Sequence, residues 1–558
     1  MKYTNSLILG KDIRIPEMSV YQYLTACNRF RKDALVICHQ DRLNIKRLEE
    51  ESYIYAKAFL QCGIKKSDVV LICLSPSIES VVFFCALNRI GAITVFLDAL
   101  SNKKDIYNYC KLFSAKMLIA SDLSDNSKCL EDKIIEKLIY ISQRKTFDHI
   151  EHTADKNTIA YGRDDLLDIY SLKEMGNKSK CLINYEPMKE DAALITFTSG
   201  TTGLPKAIVL SNENIIAELL MEKKTTHISI GPRGNIMQVV PFNYPYGFII
   251  SVLLPIASRR TAVLTPLINL VNLRKYIDMY RPYMVCGIPS LYVYMKDSTE
   301  FENVDLSFLK YAISGGDKLS ESDKENINDF FVNHNSNSKI YDGMGNGEGG
   351  GALTNTAVLF KKYNIKSIGM ANYGLSVKFI DEKNEVVPIG EKGYFCFAGK
   401  NVMKEYFGEP LETEKVIRYE NNRRWFHTDT IGHMDEDGWL YFDSRIRRFF
   451  ITYDEDGSPY KVYCDHVQDI VEKCDCVKAC AIVSADDSKR HKVPVAYVVL
   501  NSDKESVTYI RNRIYDFCKD NLKKYELPVT VEFIKDIPVT KAGKKDYHVL
   551  EEMAEKRT

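Results

Sequence analysis

Residues 68–98 read "DVVLICLSPSIESVVFFCALNRIGAITVFLD". The run DVVLICL is typical of a buried strand, SIESVVFFCALNRIGA has the apolar spacing of a helix, and ITVFLD is typical of a second strand. A helical pattern precedes this unit at 47–64, and another strand-like run follows at 115–122. Strands separated by helices predict βαβ units, in which helices cover both faces of mostly parallel sheets.

Glycine follows several later strand-like runs, at Gly287, at Gly315 and Gly316, and throughout "KIYDGMGNGEGGG" at 339–351. In doubly wound sheets, ligands bind beyond the carboxyl ends of the strands. We therefore expect these three strand ends to line one cleft, although each could also be an ordinary loop.

The pattern changes beyond residue 360, where "GLSVKFIDEKNEVVPIGEKGYFCFAGK" and "MDEDGWLYFDSR" predict short strands joined by tight turns. After Arg445 the chain resembles a small separate unit with strand-like and helical segments. A boundary near "DSRIRRFF" divides the chain best.

Composition limits the possible partners. The chain has 558 residues, of which 45% are hydrophobic, so we expect two or more globular units. Lys plus Arg and Asp plus Glu number 75 each, which favours neither nucleic acid nor an anionic membrane. A small-molecule substrate fits this balance better.

The lack of a signal-peptide pattern, together with the cysteine usage, predicts a cytoplasmic protein. The first residues lack the apolar stretch and cleavage site of a signal peptide, so we expect the 15 cysteines to be reduced. The most apolar segment, 247–258, is shorter than the roughly 18 residues of a membrane span, which predicts a buried core segment. Cys474, Cys476 and Cys480 lack a second ligand pair at zinc-site spacing, so buried thiols are favoured over a metal site.

The loop "TSGTTGLPK" at 198–206 is rich in glycine and hydroxyl groups. Such a loop can direct backbone N–H groups and hydroxyls at phosphate oxygens, and Lys206 supplies positive charge. Leu204 and Pro205 separate Gly203 from Lys206, which excludes the usual P-loop pattern. By itself the loop could also be a polar turn.

Seven motifs occur in one order along the chain. They are TSGTTGLPK (198–206), PFNYPYG (241–247), SGGDKLS (314–320), GMGNGE (343–348), HTDTIGHMDEDGWLYF (427–442), SRIRR (444–448) and PVTKAGK (538–544). Their order and spacing resemble those of the adenylate-forming superfamily, which includes acyl-coenzyme A synthetases, adenylation domains of peptide synthetases and luciferases. The resemblance extends from about residue 20 to the end of the chain.

The resemblance implies an α/β fold: a large N-terminal AMP-binding domain of doubly wound, mostly parallel sheets with a β-rich subdomain, and a small, mobile α+β C-terminal lid domain. The implied bounds are 1–444 for the large domain, 445–448 for a hinge containing Arg447, and 449–558 for the small domain. It also implies two chemical steps, in which a carboxylate attacks ATP to form an acyl-adenylate and pyrophosphate, and a thiol then displaces AMP.

Site residues carry over from the matching motifs. Catalytic roles are implied for Lys206, Glu348 and Lys544, with Glu348 also the ligand of Mg²⁺, a hard cation that prefers oxygen. Met344 and Gly347 depart from the family pattern, which has an aromatic residue and a hydroxyl residue at these positions. The resemblance implies nucleotide-binding roles for Thr198, Ser199, Gly200, Thr201, Thr202, Gly203, Lys206, Gly315, Gly316, Asp317, Met344, Gly345, Asp429 and Arg445.

The acyl pocket is expected to be lined by the segments that contain Tyr244, Cys286, Gly287 and Ser314. "PFNYPYG" has Asn243 and no acidic residue to pair with an ammonium group, which disfavours α-amino acids because an unpaired buried cation is costly. A fatty, aryl or other acid with an uncharged tail is favoured.

The thiol is expected to be coenzyme A, because nothing in the sequence resembles a carrier domain with its Asp-Ser attachment site. The phosphopantetheine of a separate carrier protein is the alternative. A third hypothesis is a degenerate member that serves as a nucleotide-binding sensor or scaffold, and Tyr244, Gly347 and Ile451 favour it. The presence of Lys206, Glu348, Asp429 and Lys544 together favours an enzyme.

Overall fold

The structure is a computed structural model. It describes residues 5–122, 125–143, 165–197, 206–228, 234–266, 270–316, 319, 321–356, 363–445, 449–454, 456–501, 506–538 and 547–556. By their internal contacts these residues form two compact units, one that holds most of the chain up to Asp443 and one that holds the chain from Ser444 onward.

Helices occur in both units, and a π-helix, Tyr246–Leu253, runs directly into α8. The α-helices are α1 (Val20–Asn28), α2 (Ile45–Gln61), α3 (Ile78–Arg89), α4 (Lys103–Leu112), α5 (Lys128–Glu131), α6 (Ile169–Lys178), α7 (Asn212–Thr226), α8 (Leu254–Ala257), α9 (Leu270–Tyr280), α10 (Pro289–Asp297), α11 (Glu321–Asn333), α12 (Pro410–Val416), α13 (Cys464–Val471), α14 (Val507–Asn521) and α15 (Tyr547–Glu555).

The strands follow the same chain order. They are β1 (Leu7–Ile8), β2 (Val36–Cys38), β3 (Asp41–Leu43), β4 (Val69–Cys73), β5 (Ile93–Phe96), β6 (Met117–Ser121), β7 (Lys137–Ile141), β8 (Leu166–Asp168), β9 (Ala192–Phe197), β10 (Ala207–Ser211), β11 (Asn235–Gln238), β12 (Thr261–Leu264), β13 (Met284–Gly287), β14 (Tyr311–Ser314), β15 (Ile340–Asp342), β16 (Gly345–Asn346), β17 (Gly351–Ala352), β18 (Thr354–Asn355), β19 (Met370–Ala371), β20 (Ser376–Ile380), β21 (Gly393–Ala398), β22 (Glu405–Tyr406), β23 (Ile417–Glu420), β24 (Arg423–Met434), β25 (Leu440–Arg445), β26 (Phe449–Tyr453), β27 (Pro459–Tyr463), β28 (Val477–Asp487), β29 (His491–Leu500) and β30 (Thr530–Phe533).

Among the described strands, the largest sheet has eight members in the order β22-β10-β9-β5-β4-β6-β7-β8. The strands from β9 to β8 are parallel, while β10 and β22 add antiparallel pairings at one edge. In β4, Val70 and Ile72 point into one apolar core, and Val69, Leu71 and Cys73 point into another. A strand buried on both faces explains why the run DVVLICL lacks polar alternation.

A second sheet of the described residues has the order β15-β14-β13-β11-β12-β2-β3, parallel except for the pairing of β2 with β3. One continuous core joins a face of this sheet to a face of the first through helices α1, α2, α3, α7 and α8. At its centre the ring of Phe248 lies 4.6 Å from that of Phe96, 4.9 Å from Phe84 and 5.0 Å from Phe242, measured between centroids.

The part of the large unit beyond residue 370 is β-rich. Together with β1, from near the start of the chain, its strands form a sheet of antiparallel order β1-β20-β21-β24-β23, with β25 paired to β24. The turn between β24 and β25 is closed by Asp435, whose carboxylate accepts hydrogen bonds from the N–H groups of Asp437 (3.0 Å) and Trp439 (2.9 Å). Gly438 takes φ +85 in this turn, a conformation that favours glycine.

The small unit contains the β26–β27 hairpin and a sheet in which β28 pairs antiparallel, and β30 parallel, with β29. Alternate residues of β28 face opposite sides: Cys480 and Ile482 pack in the core with α13 and α14, whereas Ala481 and Val483 pack against α15. Helices on both faces of this sheet make the unit an α+β domain.

The predicted α/β architecture of mostly parallel sheets, with a β-rich part and a small C-terminal α+β unit, is confirmed. The segment 247–258, expected in the core, lies in the π-helix and α8 and is buried. Within the described residues, no helix combines the length and the hydrophobicity needed to cross a membrane.

Two acidic side chains lie inside the large core. Glu218 and Glu222 stand four residues apart on α7, with relative exposures of 0% and 2%. Burial raises the pKa of Glu222 to about 7, and burial together with the nearby Glu222 raises the pKa of Glu218 well above its usual value. Near neutral pH this pair therefore retains bound protons that the unfolded chain has released.

This retention makes stability depend on pH. A raised folded-state pKa stabilises the protein fully below the unfolded value of about 4.5, and the contribution is lost as pH rises through about 7. Glu222→Gln cannot ionise, so its free energy of unfolding relative to wild type should rise between pH 5 and pH 8 by on the order of 3 kcal/mol. Denaturant unfolding at several pH values measures this difference. Glu213→Gln, on the same helix, is the control, and a pH-independent difference for Glu222→Gln would contradict the prediction.

Candidate functional site

Strands β9 and β10 flank the glycine- and hydroxyl-rich loop and pair antiparallel, with Phe197 opposite Ala207. Lys206, at the end of the loop, is half-buried. Ala207 is buried in β10, and its φ is not among the positive values of the described residues, so alanine adopts an ordinary strand conformation here. Immediately after β10, Ser211 and Asn214 form a capping box that starts α7.

The segment 403–407 lies between β10 and Glu348 and forms hydrogen bonds with both. The N–H groups of Lys404 and Phe407 donate to the carbonyl oxygens of Val209 (2.9 Å) and Ala207 (2.8 Å). On the other side, Met403 N donates to the carbonyl oxygen of Glu348 at 2.6 Å. The hydroxyl of Tyr406, a residue of β22, donates to Glu348 Oε1 at 2.7 Å. Both the backbone and the side chain of Glu348 are therefore held beside the strand that follows the loop.

Glu348 lies at the tip of a glycine-rich hairpin formed by β16 and β17. A Cβ at Gly347 would lie 2.3 Å from Ile208 Cδ1 and 3.6 Å from the carbonyl oxygen of Phe197. A Cβ at Gly345 would lie 1.8 Å from the carbonyl oxygen of Gly351. The absence of a hydroxyl residue at 347 thus has a packing reason, because Ile208 occupies the space.

Met344 precedes this hairpin and is partly buried against the main core. Its N–H donates to Thr354 Oγ1 at 2.8 Å, and its carbonyl accepts from Leu353 N at 2.8 Å. A thioether at this place provides an apolar, polarisable surface instead of an aromatic ring.

The three glycine-rich strand ends predicted from the sequence are neighbours in the second sheet. Gly287 of β13 pairs with Ser314 of β14, which pairs with Asp342 of β15. Gly315 and Gly316 directly follow β14, and Gly316 has φ +91. The three strand ends therefore lie side by side at one edge of the sheet, and the expectation that they line one cleft stays a prediction.

The side chain of Tyr246 forms hydrogen bonds with two of these strand ends. Its hydroxyl donates to the carbonyl oxygens of Gly287 (3.1 Å) and Ile313 (3.3 Å), and a Cβ at Gly315 would lie 3.2 Å from its ring. Burial raises its pKa well above the usual value, which keeps the phenol neutral. Sequence reasoning selected Tyr244 from the same motif. Tyr244 is half-buried, and its carbonyl accepts from Gly247 N at 3.0 Å at the start of the π-helix.

Cys286 and Ser314 are buried, with relative exposures of 2% and 1%. Burial raises the pKa of Cys286 to about 12, so its thiol is neutral at physiological pH. These side chains can form a wall of a pocket, and Cys286 is not activated as a nucleophile.

Asp429 lies in an irregular part of β24. The pairing with β21 shifts between Tyr394 and Cys396, which leaves extra residues around Asp429. Thr428 Oγ1 donates to the carbonyl oxygen of Phe395 at 2.7 Å and accepts from Thr430 N at 3.0 Å. Such a bulge redirects a side chain away from the regular alternation of a strand. The two hydrogen bonds of Thr428 hold the backbone next to Asp429 in place.

Lys324 and Asp342 form a buried ion pair that the sequence does not predict. Lys324 Nζ lies 2.6 Å from Asp342 Oδ2, and it also donates to the carbonyl oxygen of Ile365 at 2.7 Å. The side chains are 4% and 10% exposed, so removal of one partner would leave an uncompensated buried charge. The pair anchors the end of β15 just before the glycine-rich hairpin.

Cys474 and Cys480 are buried, and Cys476 is partly buried with its Sγ 3.4 Å from that of Cys474. The carboxylate of Asp475, between them, is paired with Arg513. In the same unit Ile451 of β26 stands opposite Lys461, whose Nζ lies 3.8 Å from the centroid of Phe449.

Several predicted site residues lie outside what the structure describes. The side chain of Arg445, the last residue of β25, belongs with them. The complete residues in this group are Thr198, Ser199, Gly200, Thr201, Thr202, Gly203, Asp317, Arg447 and Lys544.

Comparison with known families decides the assignment. The family model described as AMP-binding enzyme matches residues 24–407, and the model of the AMP-binding enzyme C-terminal domain matches residues 466–544. The chain belongs to the AMP-binding enzyme family. The predicted resemblance to the adenylate-forming superfamily is thereby confirmed.

Relatives of this AMP-binding enzyme are distant but match along nearly the whole chain. A long-chain-fatty-acid–CoA ligase of Bacillus subtilis is 23% identical, over 96% of this chain and 94% of its own. The solved structure of an o-succinylbenzoate CoA synthetase from Bacillus subtilis is 18% identical and matches with a TM-score of 0.74, over 96% of this chain and 98% of that one. The amide bond synthetase of Marinactinospora thermotolerans is 18% identical and matches with a TM-score of 0.73, over 96% and 99%.

The family assignment makes this AMP-binding enzyme a catalyst and supports the predicted class, an AMP-forming acid–thiol ligase. The solved structures extend only the conclusion on the fold, because their sequence identities are low.

The packing at Gly347 can be tested by paired substitutions. Gly347→Ala should lower the free energy of unfolding by about 1–3 kcal/mol through overpacking. Adding Ile208→Val, which removes the Cδ1 atom in the way, should recover most of this loss, although Ile208→Val alone costs about 0.5–1.5 kcal/mol. Gly345→Ala, which meets the backbone of Gly351, should not be rescued. Denaturant unfolding measures the three single variants and the two double variants that combine a glycine change with Ile208→Val, and additive effects of the Gly347 and Ile208 changes would refute the contact.

Proposed function

We propose that this enzyme activates a carboxylic acid as an acyl-adenylate and then transfers the acyl group to a thiol, with coenzyme A the favoured acceptor. The observation that carries the proposal is the placement of Glu348 beside the strands that flank the loop 198–206. Curated relatives that are named CoA ligases, one for long-chain fatty acids and one for 4-coumarate, support the same chemistry.

In the first step, a carboxylate oxygen of the acid attacks the α-phosphorus of ATP. The bond between that phosphorus and the oxygen bridging to the β-phosphate breaks, and pyrophosphate leaves with the electron pair. We assign the loop 198–206 and Lys206 to the β- and γ-phosphates. The backbone N–H groups and hydroxyls of the loop, together with one positive charge, stabilise the departing pyrophosphate.

Glu348 fits the role of a Mg²⁺ ligand because it offers carboxylate oxygens in a half-buried position, held by Tyr406 and Met403. When bound, Mg²⁺ supplies positive charge that offsets the charge of the phosphates. The contribution of the chain is to keep the carboxylate in one position beside β10, so that little reorganisation is needed when the nucleotide binds.

The remaining nucleotide contacts are assigned by motif. We assign Asp429 to the ribose hydroxyls, since a carboxylate held on a bulge is a fixed hydrogen-bond acceptor. Gly315, Gly316 and Met344 are assigned to the adenine side, where the glycines permit close backbone approach. Arg445 and Asp317 complete the nucleotide site by resemblance, and Lys544 is assigned to the α-phosphate and the attacking carboxylate.

The acyl group is assigned to a pocket near Tyr244, Cys286, Gly287 and Ser314. The wall is mostly uncharged, since Cys286 holds its proton and Tyr246 is a neutral phenol. Asn243, 8% exposed, offers an amide where an ammonium group would need a carboxylate. These features favour a fatty, aryl or similar acid with an uncharged tail.

In the second step, the thiolate attacks the acyl carbonyl carbon, the bond to the AMP oxygen breaks, and AMP leaves. We propose that residues 449–558 move about a hinge at 445–448 between the steps, with Arg447 in the hinge, and that the enzyme works in the cytoplasm. A carrier-protein phosphopantetheine is the alternative acceptor.

The decisive assay is ATP–pyrophosphate exchange with a panel of carboxylic acids, followed by product analysis with coenzyme A. Exchange that depends on an added acid of the uncharged-tail class, and a thioester on addition of coenzyme A, are the expected results. Acyl-adenylate without thioester would favour the carrier-protein acceptor. No acid-dependent exchange with any member of the panel, despite ATP binding, would favour the sensor or scaffold hypothesis.

The role of Lys544 is tested by Lys544→Ala, with Lys545→Ala as the matched control. Loss of a cation at the α-phosphate should lower the exchange rate at least about 100-fold. ATP affinity, measured by calorimetry, should stay near that of wild type. Equal effects of the two substitutions, or unchanged exchange in Lys544→Ala, would disprove the assignment.

A further inference from the structure

The hairpin that carries Glu348 is held by the buried acid pair of α7. Its return strand, β17, contains Gly351 and Ala352, and its tip is rich in glycine, with φ +77 at Gly350 and +145 at Gly351. Glycines in these conformations lose much chain entropy on ordering, so a hairpin of this kind needs external contacts to keep one conformation.

Glu218 supplies contacts at both sides of the tip. Its Oε1 accepts a hydrogen bond from Ala352 N at 2.8 Å, and its Oε2 accepts one from Asn401 Nδ2 at 2.9 Å. Asn401 Nδ2 also donates to the carbonyl oxygen of Gly349 at 2.8 Å. One carboxyl group thus binds residue 352 directly and residue 349 through a single amide.

Glu222, one helical turn further along α7, holds the same strand through the side-chain amide of Asn372. Asn372 Nδ2 donates to Glu222 Oε1 and to the carbonyl oxygen of Ala352, the latter at 2.9 Å. Asn355 Nδ2 donates to Glu222 Oε2 at 3.5 Å. Glu218 therefore binds the N–H of Ala352 directly, and Glu222 holds the carbonyl of Ala352 through the side-chain amide of Asn372.

Helix α7 is also linked to the strand that follows the phosphate loop, because it begins where β10 ends. Asn214, in its first turn, donates to the carbonyl oxygens of Lys400 (2.8 Å) and Val402 (2.9 Å), and these residues flank Asn401. A single rigid helix thus contacts the strand that follows the loop, the segment 400–402 and the hairpin that carries Glu348.

Stability alone does not account for two acids in this core. The hydrogen-bond partners of both carboxyl groups are amide N–H groups, and two neighbouring acids in an apolar interior are less favourable than apolar residues of similar size. What the carboxyl groups provide, and apolar side chains cannot, is directional acceptors for the backbone and amide groups of the hairpin.

We propose that Glu218 and Glu222 are positioning residues, which hold the 345–352 hairpin so that Glu348 stands beside β10, the strand that follows the phosphate loop. The inference rests on the proposed role of Glu348 toward Mg²⁺·ATP. It assigns to α7 a function in nucleotide binding, although neither acid touches the nucleotide.

Two measurements test the proposal without any acid substrate. The first is amide hydrogen exchange of the peptide 345–353. The second is calorimetric binding of ATP with Mg²⁺ and with EDTA, whose affinity ratio measures the gain due to the metal. The variants are Glu218→Ala, Glu218→Gln, which keeps the shape but only one acceptor, and Glu348→Gln. The control is Glu213→Gln, a half-buried glutamate on the same helix paired with Lys400.

Wild type and Glu213→Gln should bind ATP at least about tenfold more tightly with Mg²⁺ than with EDTA. In Glu218→Ala most of this gain should vanish, and the peptide 345–353 should exchange at least about tenfold faster while the rest of the large unit keeps its protection. Glu218→Gln should fall between these limits, and it serves if the alanine variant does not fold.

Wild-type exchange of 345–353 and an unchanged Mg²⁺ gain in a folded Glu218 variant would overturn the proposal. If Glu348→Gln keeps the full Mg²⁺ gain, the proposed metal role of Glu348 fails. Hydrogen exchange of the Glu218 variants then still decides whether this buried acid holds the hairpin, so the two failures can be distinguished.

Discussion

The candidate site depends on one stretch of backbone that is shared by two neighbours. Residues 403–407 donate hydrogen bonds to β10 through Lys404 and Phe407, and to Glu348 through Met403. Because the same segment serves both sides, the strand that follows the phosphate loop and the hairpin that carries the carboxylate cannot shift independently. Tyr406 adds a bond to the side chain, so the orientation of Glu348 is restrained as well as its position.

Close packing reinforces this link and gives a reason for the departure from the family pattern at Gly347. Gly347 lacks a side chain where Ile208 Cδ1 fills the space, and Gly345 lacks one where the backbone of Gly351 passes. A glycine-rich hairpin of this kind has little rigidity of its own. Its order comes from α7, whose buried glutamates bind it through Ala352, Asn401 and Asn372. The absence of a hydroxyl residue at 347 is therefore compatible with an ordered site.

Electrostatics in the large unit follow from burial more than from charge pairing. Cys286 and Tyr246 stay neutral because their charged forms would be desolvated, which suits a pocket for an uncharged acyl tail. Lys324 and Asp342 are the contrasting case, since the charge of each compensates the charge of the other at the end of β15. The buried polar groups near the proposed acyl pocket are thus neutral, whereas the buried charges at the edge of the sheet form an ion pair.

The sequence alone determined the alternation of strands and helices, the glycine-rich strand ends and the motif order that predicts the family, because local periodicity and glycine placement are recorded residue by residue. It also pointed to Glu348 and Asp429. It could not show the bulge that holds Asp429, the hydrogen bonds of Tyr246 to two strand ends, or the contacts of Glu218 with a hairpin more than a hundred residues away. Those features depend on which surfaces meet when the sheets and helices pack, and a pairing of distant residues leaves no local pattern in the chain.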